Sequence, residues 1–104
     1  MHDGGVGDTY DFDAELWEWK AQGGWFFVTV PRPESDDLRI ESGPPRGFGS
    51  VRVEVTIGAT TWRTSVFPDK DSHCYVLPVK KAVRQAESLD TGEVASVSLV
   101  LVQD

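Results

Sequence analysis

The amino-acid sequence predicts a mostly-β fold, a small closed β-barrel with one packed α-helix near residues 78–90. Three observations point there. Apolar and polar residues alternate along several stretches at the two-residue period of a half-buried strand. Gly and Pro punctuate those stretches at short intervals, as turns between strands do. One segment alone carries the three-to-four-residue apolar spacing of a helix. Several short strands around one helix close most simply as a barrel.

The elements follow in order. Met1 to Asp8 is Gly-rich and acidic, with no basic start and no apolar run, so residues 1–9 read as a flexible tail and residues 10–104 as one β-barrel domain. Tyr10, Phe12, Ala14 and Leu16 then alternate with Asp11, Asp13 and Glu15. Trp17 and Trp19 fall on the acidic side of that alternation, which calls either for a bulge near Leu16 or for a cover over the two indoles. Gln22-Gly23-Gly24 is a turn, and Trp25 to Val30 is a strand apolar on both faces, ended by Pro31 and Pro33. Ser35 to Glu41 fits one helical turn capped by Ser35. Ser42 to Ser50, with three Gly and two Pro, is a loop.

The hairpin that follows is the clearest local feature. Val51, Val53, Val55 and Ile57 point one way and Arg52, Glu54 and Thr56 the other, and Gly58-Ala59 suits a two-residue turn with Gly first. That turn sets Ile57 opposite Thr60, Val55 opposite Trp62 and Glu54 opposite Arg63. Asp69 to Ser72 is polar loop, and Tyr75 to Leu77 a short strand. Pro78 suits the first turn of a helix, and Val79, Ala82, Val83, Ala86 and Leu89 form one apolar stripe closed by Asp90-Thr91-Gly92. In the last strand Ala95, Val97, Leu99 and Leu101 share a face.

Composition narrows the function. Hydrophobic residues make up 39 % of the 104 residues, with four Trp, which argues against disorder. Cys74 is the only cysteine, so no intrachain disulfide forms, which fits a reducing compartment; a cytoplasmic location, with no membrane span, is expected. The net charge of −7 argues against duplex DNA as a partner, because such binding neutralises phosphates with Lys and Arg. The charge is uneven. Residues 1–41 sum to −7, residues 42–84 to +4 and residues 85–104 to −4, so the middle of the chain is a basic island.

From about Tyr10 to the end, the order of motifs resembles a family of small bacterial domains of unknown function. The matching phrases are Phe12-Asp13-Ala14-Glu15-Leu16-Trp17, Gly47-Phe48-Gly49-Ser50-Val51-Arg52-Val53, Ile57-Gly58 with Trp62, Ser65-Val66-Phe67-Pro68, and Leu77-Pro78-Val79-Lys80 followed by Ala82-Val83-Arg84. The resemblance implies a double-split β-barrel, the architecture of the AbrB/MazE transcription-factor group. In some longer proteins the domain sits beside a bacteriocin-protection (YdeI or OmpD-associated) segment, absent here. Leu77 to Leu99 is also similar to the AbrB-type phrase, two copies of which pair into one barrel. One chain supplying both halves needs no dimer, so a monomer or weak homo-oligomer is expected. Where relatives place small glycine-like residues before the Tyr75 strand, this chain has His73-Cys74.

The basic island holds the leading site candidates. Lys80 and Lys81 fall in the first turn of the expected helix, where the macrodipole disfavours cations, and Arg84 lies one turn on from Lys80. Such a cluster suits a small anion, with Arg46 of the Gly/Pro loop converging on it. The alternative is a solvated helix face neutralised by the acidic tail or by Asp69 and Asp71. Other constellations are incomplete. Asp69, Asp71, His73 and Cys74 lack the fixed ligand set of a metal site, and Asp11, Asp13 and Glu15 form a flat row that wraps no cation. Ser50 and Ser65 have only His2 and His73 as bases, and Gly47-Phe48-Gly49 lacks the third glycine of a dinucleotide loop. The aromatic excess either packs the core or lines a cavity, with Trp17 and Trp19 the most exposed of the four Trp. The expectation is a binding or interaction module for a small anion or a protein partner, without metal or cofactor; an AbrB-like DNA-binding regulator is the alternative, by fold analogy.

Overall fold

A computed structural model of the chain describes residues 9–44 and 49–102. In order it forms β1 (Thr9–Glu15), β2 (Trp17–Trp19), a 3-10 turn (Lys20–Gln22), β3 (Trp25–Thr29), α1 (Arg32–Glu41), β4 (Val51–Ile57), β5 (Thr60–Asp69), β6 (Cys74–Pro78), α2 (Lys81–Ala86) and β7 (Val94–Leu101). The strands build one antiparallel sheet in the order β1-β7-β4-β5-β6-β3-β2, curled into an open half-barrel. Residues 1–8 of the expected tail, Arg46 and part of the Gly/Pro loop lie outside the described residues.

Two places turn the sheet. β5 spends its first half on β4 (Thr60 to Val66) and its end on β6 (Phe67 to Asp69). At the other side β1 pairs with β7 while β2, one residue later, pairs with β3. Leu16 is that residue, and it is 1 % exposed. Its amide donates to the Glu93 carbonyl and its own carbonyl accepts from the Gly92 amide, so no buried backbone group is left open where the strand changes partner. The first strand of the sequence reading is thus two strands on opposite edges of the sheet. The in-out alternation runs unbroken through Leu16, and Trp17 and Trp19 stay on the outer side with Asp11, Asp13 and Glu15.

The Val51–Val66 hairpin has the expected register. Ile57 faces Thr60, Val55 faces Trp62 and Glu54 faces Arg63, whose Nε lies 3.4 Å from the Glu54 carboxylate. Gly58 takes φ 58°, as the first central residue of such a turn requires, and a Cβ there would collide with the Glu87 carboxylate. Val53, Val55 and Leu99 are fully buried, with Tyr10, Phe12 and Val97 beside them.

Both helices differ from expectation. The expected helix over 78–90 is shorter, spanning only Lys81–Ala86. Pro78 ends β6 opposite Phe27, and the Val79 amide donates to the Phe26 carbonyl, so sheet pairing claims the residues that helix capping would have used. At the far end Ser88 adopts a left-handed φ of 51°, and the Leu89 amide reaches back to the Arg84 carbonyl, a helix-terminating pattern that arrives before Gly92. Val79 and Leu89 still pack on the core, one from a strand end and one from a loop. Ala82 and Ala86 are exposed.

The longer helix is α1, ten residues against the single turn expected. Pro31 and Pro33, which end β3, also start α1: at the N-cap and second position their missing N–H groups forfeit no helical bond. Ser35 therefore lies inside the helix and does not cap it. Its buried hydroxyl donates to the Val30 carbonyl at 2.8 Å and accepts the Tyr75 amide at 2.9 Å, tying α1 to β6. Leu38, fully buried, brings the helix's apolar side onto the same core.

Two substitutions test this core. Ser35→Ala strands a buried amide and a carbonyl and lowers unfolding free energy by about 1–3 kcal/mol; urea titration reads the loss. Val55→Asp places a charge at a site of zero exposure and costs about 4 kcal/mol or more. A Val55→Asp protein with a wild-type urea midpoint would remove Val55 from the core.

Candidate binding face

The structure brings together only part of the basic cluster. Lys80 caps α2 and Lys81 is its first residue, both exposed. The helix is six residues long, so the field at its end is slight. Arg84 is otherwise engaged: its guanidinium carbon sits 3.8 Å from the centroid of the Phe26 ring, and its Nε donates to the Val79 carbonyl at 3.1 Å. Lys81 and Arg84 do line a shallow open groove of about 350 Å³ with Gln85, Ser88, Leu89 and Asp90. Lys80 is outside it, and Asp90 supplies a negative charge within it.

The remaining polar candidates are placed apart. His73 takes a left-handed φ of 61°, the backbone a glycine adopts most readily, and its carbonyl accepts from Arg39 Nη2 at 2.9 Å. Cys74 is buried next to it. Asp11, Asp13 and Glu15 line the outer edge of β1, where Asp13 accepts the Ser96 hydroxyl at 2.8 Å. Among the described residues no three His, Cys, Asp or Glu side chains are grouped to hold a metal ion. No helix among them is long and apolar enough to cross a membrane.

A different face stands out once the pairing is known. In the β2–β3 hairpin Trp17 is opposite Phe27 and Trp19 opposite Trp25. Directly opposed residues share a face, as do residues two apart, so these four rings form one group. Val28 on β3 and Val30 just beyond its end point into the core. The aromatic group is therefore on the outside of the sheet. Phe27 is its centre, with the Trp17, Trp25 and Trp19 ring centroids 5.1, 6.2 and 6.3 Å away. Trp25 is nearly parallel to Phe27, at 13°. The Trp17 indole N–H donates to Thr29 Oγ1 at 2.9 Å, which fixes that ring. Phe27 is buried beneath its neighbours, while Trp19 is 46 % and Trp25 54 % exposed.

Strand pairing extends this face through Pro78 and Val76 on β6 to Phe67 on β5, itself 42 % exposed. The outer side of the other half of the sheet is built differently: it carries Asp11, Asp13, Ser96, Ser98, Glu54, Thr56, Thr61 and Arg63 beside Val94 and Val100, with no aromatic ring. The two outer faces thus differ: one is mostly polar, and the other carries a contiguous group of aromatic and apolar side chains.

The sequence reading made Trp17 and Trp19 the most exposed tryptophans. Trp19 is exposed, but Trp17 is half-buried by its neighbours and Trp25 is the more exposed, while Trp25 to Val30 is apolar on both faces as expected. The missing step was registry. Folding the chain about the Gln22-Gly23-Gly24 turn sets Trp19 beside Trp25 and Trp17 beside Phe27, a signal present in the spacing.

The Arg84 contact makes a prediction. Arg84→Ala loses the ring stack and leaves the Val79 carbonyl without its donor, lowering stability by about 1–2 kcal/mol. Arg84→Lys restores less than half of it, since an ammonium lacks the planar fork. Denaturant titration of both variants checks this; full rescue by Lys would reduce Arg84 to a charge.

A family model described as a domain of unknown function (DUF1905) matches residues 12–99. No curated protein matches the chain.

Proposed function

We propose that this chain, which belongs to the DUF1905 family, is a non-catalytic binding module whose recognition surface is the aromatic face of β2 and β3. The observation that carries the reading is the pair Trp19 and Trp25, about half exposed on a hairpin whose rings already pack on Phe27. Large apolar area held rigid before binding loses little freedom on association, which is how aromatic anchors yield affinity. In this reading residues 10–104 act as one cytoplasmic unit. The half-barrel is taken as the double-split barrel of the AbrB/MazE group, supported by β5 and the β1–Leu16–β2 run, each shared between two halves of the sheet. Duplex DNA does not suit the surface, which lacks Lys and Arg at its strand positions.

A second reading assigns small-anion binding to Lys80, Lys81 and Arg84, with Arg46. It is favoured by the open groove beside Lys81 and Arg84.

Fluorine NMR of protein carrying 5-fluorotryptophan separates the two. The chain has four Trp, and Trp62 packs against the core. A library of uncharged fragments is expected to shift the Trp19 and Trp25 resonances and leave Trp62 in place, while inorganic phosphate moves none. Phosphate-induced shifts of the residue 80–90 amides, with fragments silent at Trp19 and Trp25, would transfer the function to the basic cluster.

A further inference from the structure

We draw no further inference here: the strongest candidate, the group of Trp17, Trp19, Trp25 and Phe27 on the outer face of the β2–β3 hairpin, belongs to the surface already described, and nothing in the structure shows what covers it.

Discussion

The whole arrangement hangs on Leu16. β1 and β2 are neighbours in sequence and stand at opposite ends of the strand order. Leu16 is the one residue between the two ladders, and it is buried with both backbone groups paired to the turn that precedes β7. The turn from Gly92 to Glu93 holds it from one side, and the core receives the leucine side chain from the other. Because the alternation is not reset there, whatever is outside on β1 continues outside on β2. The acidic row and the tryptophans are two stretches of one outward-facing strand, divided by the change of partner.

How much of this was legible depends on the range of the interaction that decides it. The Val51–Val66 hairpin was readable in full, down to the Glu54–Arg63 pair, because its turn lies between its strands and sets the register locally. The helices were less readable. The apolar spacing of Val79, Val83 and Leu89 suits a helix, but Val79 is claimed by Phe26 from β3, a partner more than fifty residues away. α1 was underestimated for a different reason. Its two prolines were taken as the end of a strand, and the same residues also begin a helix.

The site was legible in composition and not in geometry. The basic island is real in the sequence, yet Arg84 spends its guanidinium on Phe26 and its Nε on a backbone carbonyl, and Lys80 stands outside the groove that Lys81 lines. The aromatic face went unseen as a unit because Trp25 and Phe27 alternate with Phe26 and Val28, all apolar. A period-two pattern reports which residues share a face only when one face is polar. Its identity as the outer face came from the core partners of Val28 and Val30, a tertiary fact.

The Ser35 hydroxyl carries a further consequence, for the way the molecule opens. α1 has ten residues, below the length at which a helix persists alone in water, and its buried hydroxyl is satisfied only while the Val30 carbonyl and the Tyr75 amide, forty positions from Ser35, are both in place. Detaching α1 unpairs the Tyr75 amide, and fraying β6 at Tyr75 removes the hydroxyl's donor. The two elements therefore belong to one cooperative unit of local unfolding. Their amide protons are expected to exchange with solvent through a shared opening event.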